Sequence, residues 1–426
     1  MREALAGLTT RGRCFLAAGG AAALSALALQ ERDLLRVAVL LLVLPVFAAV
    51  AVTRTRYRLA CSRVLQPAQV PAGQQARVVL RLENVSRLPT GVMLLEDTLP
   101  FTLGGRPRFV LDRVKPRGVR SVHYPMRADI RGRYQIGPLS VRLTDPFGMV
   151  ELSRSFATVD TLTVTPVVHP LPAVRVGGEW AGGGDSNARS VATHGEDDAA
   201  TREYRHGDDL RKVHWRSTAR KGELMVRREE QPWQSRATLA LDTRAAAHRG
   251  DGPGSSFEWA VSAAASIAVQ LSSGGYALRL VTGSGADVTT AVGSNTAAAL
   301  LDQLSEVQAS RNLSVAPVVD ALRRSGGDGL VIAVLGRLDS ADVDLLSRAR
   351  TGTTVGLAVL VDSASWVGLS PRMRTEAQQE YDAVSRRLVT AGWRVLEAHH
   401  GTALAALWPQ ASGRGGRPAV STAGAR

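Results

Sequence analysis

Two long apolar stretches lie near the start of the chain. Cys14 to Leu29 reads CFLAAGGAAALSALAL without a charge, and Leu34 to Val52 reads LLRVAVLLLVLPVFAAVAV with Arg36 alone near its start. Each approaches the roughly 20 residues that carry a helix across a bilayer. Pro45 is tolerated in such a span where it would break a soluble helix. With Gln30-Glu31-Arg32-Asp33 as connector, the pair predicts a transmembrane hairpin held in the lipid bilayer over residues 14–52. Arg2, Arg11 and Arg13 precede it, and Arg54, Arg56, Arg58 and Arg63 follow it. That distribution keeps both flanks in the cytoplasm and makes this a multi-pass protein of the cell membrane. Ala26-Leu27-Ala28 resembles a small-residue cleavage site, so a signal peptide is the competing reading. A second apolar span follows at once, which argues against it, and the arginines after Val52 hold the remainder inside either way.

From Arg58 to about Pro166 the pattern changes to period two. QARVVLRLENVS sets Ala76, Val78, Leu80 and Leu82 against Arg77, Arg81 and Glu83, the alternation of a half-buried strand. GVMLLEDTL, RSVHYPMRADI, GPLSVRL and GMVELSRSF follow at short spacing, and Thr144 to Gly148 (TDPFG) carries turn chemistry. Short strands without intervening helices predict an immunoglobulin-like β-sandwich. Asn84-Val85-Ser86 has the glycosylation pattern, which has no use on a cytoplasmic face.

Thr165 to Pro172 is a proline-punctuated boundary, and Gly177 to Asp198 is Gly-rich and polar. Beyond Trp233, short apolar runs alternate with helical patterns. Ala237–Thr243, Tyr276–Gly283, Gly329–Gly336, Thr354–Asp362 and Trp393–His399 read as strands. Phe257–Leu271, Asn295–Ala309, Ala341–Arg350 and Thr375–Ala391 read as helices. Such alternation predicts a parallel sheet covered on both faces. The last residues, ASGRGGRPAVSTAGAR, carry too little apolar content to fold.

Charge and cysteines change this picture little. The balance of 52 Lys+Arg against 38 Asp+Glu, a net charge of +14, favours anionic partners. The cations are almost all Arg, a bias that high genomic G+C content also produces. Cys14 and Cys61 supply neither a disulfide framework nor a cysteine metal site.

Candidate chemistry concentrates between Arg202 and Glu230, REYRHGDDLRKVHWRSTARKGELMVRREE. Asp208 or Asp209 is a natural N-cap, predicting a helix from Asp209 to about Arg220, a turn at Lys221-Gly222, and a strand ELMVRREE. Val213 and Trp215 cannot share a face of that helix, so Trp215 is expected to pack on an adjoining domain. His206, Asp208, Asp209 and His214, with Glu229 and Glu230, have the donor types for Zn, Mn or Fe and hence for a hydrolase. Their spacing matches no metal motif with a physical rationale, and Arg211, Arg216 and Arg220 suit bidentate pairing with the acids. A phosphate-binding surface and a structural or partner-docking ion network are the other readings. No nucleic acid is expected, because aromatic residues do not interleave with the basic ones.

The same run resembles the signature of the domain of unknown function 58 family. The residues that carry it are Tyr204, Gly207, Asp208, Arg211, Val213, Trp215, Ala219, Arg220, Leu224 and Val226; Arg131 to Glu151 and the N-terminal hairpin are similar too. The resemblance implies a membrane anchor, no established activity, a von Willebrand factor A-like C-terminal part, and a MoxR-type AAA+ ATPase as partner. Tyr204, Gly207, Asp208, Arg211, Trp215 and Arg220 become the expected partner-docking residues.

A von Willebrand factor A domain holds Mg²⁺ through Asp-x-Ser-x-Ser at the end of its first strand, a set of hard oxygen ligands. Here that strand ends LDTRAAAHRG, so Asp242 keeps the carboxylate while Arg244 and Ala246 stand at the hydroxyl positions. After Leu335 comes Gly336-Arg337-Leu338, with Asp339 displaced. The expectation is a degenerate site without metal or other cofactor, in which Asp242 pairs with Arg244. The whole then reads as a hairpin (1–57), a β-sandwich (58–172), a Gly-rich loop and charged signature (173–232), a doubly wound α/β domain (233–410) and a tail (411–426). Its expected role is a non-catalytic scaffold; the alternative is a metal-dependent hydrolase using His206, Asp208, Asp209 and His214.

Overall fold

The structure, a computed structural model, describes residues 7–54, 59–87, 89–145, 147–174, 201–204, 213, 215–227, 236–283, 287–289, 296–324, 329–349 and 355–412. The chain divides into two compact units: residues 1–167 with 301–306, and residues 168–300 with 307–426.

The first unit opens with α1 (Thr10–Leu29) and α2 (Arg32–Arg54), a helical hairpin. Both helices are long and apolar enough to cross a membrane. Thr9 caps α1, its hydroxyl accepting from Gly12 N at 3.3 Å, and Gln30 ends it in the left-handed region. Close approach is set by a missing side chain: a Cβ on Gly19 would lie 2.8 Å from Leu42. Pro45 sits inside α2 without ending it.

Ten strands follow: β1 (Leu59–Gln66), β2 (Gln69–Pro71), β3 (Gln75–Asn84), β4 (Met93–Asp97), β5 (Arg108–Leu111), β6 (Val119–Arg127), β7 (Gly132–Ile136), β8 (Leu139–Thr144), β9 (Glu151–Phe156) and β10 (Asp160–Thr165). They form sheets ordered β1-β3-β6, β2-β10-β7 and β5-β4-β8-β9, antiparallel except for β2 with β10. The alternation read along β3 is the packing itself: Ala76, Val78, Leu80 and Leu82 enter one core with Met93, Leu95, Ile136 and Val141. Asn84 is fully buried and its Nδ2 donates to the carbonyls of Val114 and Lys115, so it serves as a loop staple.

One predicted strand is shorter than its pattern. GMVELSRSF was expected as a single run from Gly148, but β9 begins at Glu151. Met149 and Val150 instead pack with Ala48, Leu44, Ala49, Leu8 and Phe15 of the hairpin region. Asp145 shapes the turn, accepting from Phe147 N at 3.0 Å and Val150 N at 2.7 Å. Packing on the helices outweighed strand propensity here.

Inside the sandwich lies a charge network. Arg63 donates to Asp97 at 2.7 and 3.2 Å and to Asp160 at 2.9 Å, while Tyr124 donates its hydroxyl to Asp97 at 2.6 Å. Burial opposes the Arg63 charge, but bonding to Asp97 more than compensates, so its pKa rises. Burial and the Asp97 carboxylate push the Tyr124 hydroxyl well up, so it stays a donor.

The second unit contains β11 (Thr201–Glu203), α3 (Trp215–Lys221), β12 (Met225–Arg227), β13 (Arg236–Leu241), α4 (Ser256–Ser273), β14 (Ala277–Thr282), β15 (Asp287–Thr289), α6 (Ala316–Arg324), β16 (Leu330–Leu335), α7 (Ser340–Ala349), β17 (Val355–Val361), α8 (Pro371–Thr390), β18 (Arg394–Ala398) and α9 (Leu404–Leu407); α5 (Thr296–Glu306) spans the division between the units. The sheet runs β15-β14-β13-β16-β17-β18, its last five strands parallel and β15 antiparallel at the edge. The central strands are buried along nearly their whole length, as a sheet covered on both faces requires. Ala240, Val281, Ala333, Leu335 and Leu360 pack with Val318, Val319 and Leu322 of α6, Leu346 of α7 and Leu388 of α8. α4 is Ala-rich and buried along most of its length, and it packs against β13, β14 and β16. Ser255 caps it, accepting from Glu258 N at 3.2 Å.

Candidate functional site at the carboxyl edge of the parallel sheet

In a doubly wound sheet the strand order reverses once, and the crevice beyond the carboxyl ends of the two strands at that point is where ligands bind. Here the reversal falls between β13 and β16. Asp242 and Arg244 leave the end of β13, Gly336 and Arg337 leave β16, and Asp342 lies in the first turn of α7.

A guanidinium fills that place. Arg244 Nε and Nη2 donate to the two oxygens of Asp242 at 3.0 and 2.9 Å. Nη1 donates to Asp342 Oδ2 at 2.8 Å and to Leu313 O at 3.4 Å, and Nη2 also reaches Arg337 O at 3.0 Å. A guanidinium has five N–H donors, and these five bonds use them all. The side chains of Arg244, Asp242 and Asp342 are at most 7 % exposed. Burial disfavours the Arg244 charge, but Asp242 and Asp342 overcome it and raise its pKa.

The surrounding groups lock this arrangement. Gly336 N donates to Asp242 Oδ2 at 3.2 Å, and a Cβ on Gly336 would lie 2.6 Å from the Ala247 carbonyl. Asp339 and Asp342 cap α7 reciprocally, Asp342 N donating to Asp339 Oδ1 at 2.8 Å and Asp339 N to Asp342 Oδ2 at 3.2 Å. His248 Nε2 lies 2.9 Å from the carbonyl of Asp242. A carbonyl only accepts, so Nε2 carries the proton and Nδ1 faces the Ser256 hydroxyl at 3.4 Å. Burial holds the His248 pKa below its ordinary value.

Sequence reasoning selected Asp242, Arg244 and Ala246 but missed Asp342 and His248. The Asp339-Ser340-Ala341-Asp342 spacing is a capping-box pattern and was the available signal for Asp342. Nothing local pointed to His248.

The charged signature is described only in part. His206, Gly207, Asp208, Asp209, Arg211, His214, Glu229 and Glu230 lie outside the described residues. Tyr204 N donates to Leu224 O at 2.8 Å beside the antiparallel pair β11–β12. The start expected for the helix, at Asp209, also lies outside the described residues; the described helix is Trp215–Lys221. Val213 therefore lies outside it, buried and bridged to Val226. The Trp215 side chain is 70 % exposed, and Arg220 on the same helix is also exposed. Val213 and Trp215, expected within one helix, therefore stand in different elements.

Fold and site together define a chain that joins an apolar helical hairpin and β-sandwich to a doubly wound α/β unit. Residues 200–364 match the family described as "Protein of unknown function DUF58". The chain is also similar to "Uncharacterized protein YeaD" of Bacillus subtilis (strain 168), 27 % identical over 214 residues. The match covers 48 % of this chain and 51 % of that protein, so the chain spans about half the length of the curated relative it matches. Among solved structures, a CARDB domain from Pyrococcus furiosus aligns over 25 % of this chain and 91 % of that one, at 13 % identity and a TM-score of 0.19. A putative ApaA protein from Bordetella pertussis aligns over 25 % and 94 %, at 13 % identity and a TM-score of 0.21. Strand order and register, not these alignments, define the two folds here.

Proposed function

We propose that this chain is a membrane-anchored scaffold or assembly protein that faces the cytoplasm and binds partner proteins without catalysing a reaction. The observation that carries this reading is Arg244. Where a doubly wound sheet receives its ligand, the chain places a fully bonded guanidinium of its own. The residues do not fit a divalent cation: both oxygens of Asp242 are engaged, and Arg244 and Ala246 offer no hydroxyl. The von Willebrand factor A-like unit then acts as an interaction fold.

The anchor in this reading is the hairpin, and the arginines on both its flanks support a cytoplasmic side for the chain that follows it. The docking surface is the charged signature. An exposed Trp215, with Leu224 at 41 % exposure nearby in the chain, has the character of an interface anchor. The family resemblance nominates a MoxR-type AAA+ ATPase as the partner.

Cross-linking the full chain in intact membranes, followed by capture and mass spectrometry, tests this. An AAA+ ATPase recovered with wild type and depleted with Trp215→Ala is expected. Equal recovery with both would remove the signature as the docking surface, and recovery of no ATPase would remove the partner.

A further inference from the structure

One end of the β-sandwich gathers three loops. β4 starts at Met93 opposite Leu111 of β5 and Leu143 of β8. The described residues 85–87 with 89–92, 112–118, and 145 with 147–150 therefore share one end of the sheet, and Thr90 N donating to Val114 O ties two of these loops together. β1 starts at the same end, Leu59 being paired with Asn84, so the chain enters the sandwich there directly after α2.

The third loop is fastened to the hairpin. Thr9 N donates to Met149 O at 2.9 Å, the Thr9 hydroxyl to Gly148 O at 2.7 Å, and Glu151 N to Gly7 O at 2.8 Å. Met149 and Val150 pack on Phe15, Leu44, Ala48 and Ala49. These residues belong to the apolar spans and not to their charged flanks. At 1.5 Å per residue, Ala48 lies about 9 Å inside the Arg54 end of its helix. Phe147, next in line before this contact, is 51 % exposed.

Around it the surface is cationic and apolar together. Arg87, Arg113, Lys115 and Arg117 are exposed on the neighbouring loops, with Asp112 as the exposed acid there. Asp145 is buried within its turn. Arg11 and Arg13 are exposed on the first turn of α1, the Arg11 guanidinium lying beside Gly148. Val85 and Val92 are 51 % and 52 % exposed among these cations. Cations with an aromatic ring and aliphatic side chains, level with the end of a bilayer span, suit a surface of anionic lipid headgroups.

We propose that this end of the sandwich seats on the anionic phospholipid surface of the bilayer that the hairpin crosses, with Phe147 in the headgroup layer and Arg113, Lys115 and Arg117 on lipid phosphates. This rests on the hairpin spanning the bilayer. It makes the sandwich a body fixed against the membrane instead of one on a free tether.

Spin labels on the full chain, freed of its native cysteines by Cys14→Ser and Cys61→Ser and reconstituted in vesicles, test both layers. Labels at Leu40→Cys, Phe147→Cys and Phe101→Cys report the hairpin, the proposed contact and the opposite end of the sandwich. In vesicles of phosphatidylcholine with phosphatidylglycerol, the ratio of oxygen to nickel-chelate accessibility should be highest at Leu40. It should be severalfold higher at Phe147 than at Phe101. Changing Arg113, Lys115 and Arg117 to Gln, or using phosphatidylcholine alone, should move the Phe147 ratio toward the Phe101 value. A Phe147 label as aqueous as Phe101 while Leu40 reads lipid would overturn the seating alone. An aqueous Leu40 would overturn the anchor itself. A Phe147 ratio unaffected by lipid charge and by the Gln variants would overturn the role of the cations.

Discussion

Arg244 holds Asp242 by two parallel hydrogen bonds, Nε to Oδ1 at 3.0 Å and Nη2 to Oδ2 at 2.9 Å, across one intervening residue. The pair closes the carboxyl edge of the sheet with charge supplied by the chain. Removing one partner of a buried pair strands the other and costs about 3–5 kcal/mol. Arg244→Ala and Asp242→Ala should each lower the melting temperature clearly. Arg244→Ser with Ala246→Ser restores hydroxyls at both positions, so millimolar Mg²⁺ should raise the melting temperature of that variant but not of wild type. An equal rise in both would show that Arg244 does not stand in for the cation.

The Arg63–Asp97 pair is a second test of the same physics in the other unit. Both side chains are almost fully buried, and Tyr124 donates to the same carboxylate. Asp97→Ala should cost about 3–5 kcal/mol. Tyr124→Phe, which removes one hydrogen bond to a charged group, should cost about 1.5–3 kcal/mol. Denaturant unfolding that found the two substitutions equivalent would contradict the shared network.

Trp215 should behave as a surface residue. At 70 % exposure its truncation should change stability by no more than about 0.5 kcal/mol, against the 3–5 typical of a buried Trp. A large loss of melting temperature in Trp215→Ala would mean that the ring is packed.

Two histidines set opposite pH responses. His399 Nδ1 donates to the Asp362 carboxylate at 3.1 Å, and that bond raises the His399 pKa. Its contribution is fully present below the ordinary histidine value of about 6.5 and is lost as pH rises through the raised value. Burial lowers the His248 pKa, so the unfolded chain takes that proton first, and stability falls as pH drops below about 6.5. Melting curves from about pH 5 to about pH 8 should therefore show His399→Gln flattening the loss on the alkaline side only. A flattened acid side instead would reverse the assignment.

Much of the architecture is legible in the sequence. Five apolar runs of strand length became β13, β14, β16, β17 and β18, because strands buried on both faces must be apolar throughout. The strand β15 and the helix α6 escaped notice: one spans three residues, and the other, APVVDALRR, opens with proline and is too short for a clear period. Strand β1 escaped too, since LACSRVLQ buries only one side, and partly.

The Asp242–Arg244 pair was available from sequence because two residues two positions apart at a strand exit meet by local geometry alone. Asp342 joins them across 98 positions, and only the order β13-β16 with α7 following brings it there. The exposure of Trp215 and the seating of Met149 and Val150 on the hairpin were likewise tertiary decisions. Periodicity reports which side chains leave water; it does not say which apolar surface receives them, and that choice belongs to the packed chain.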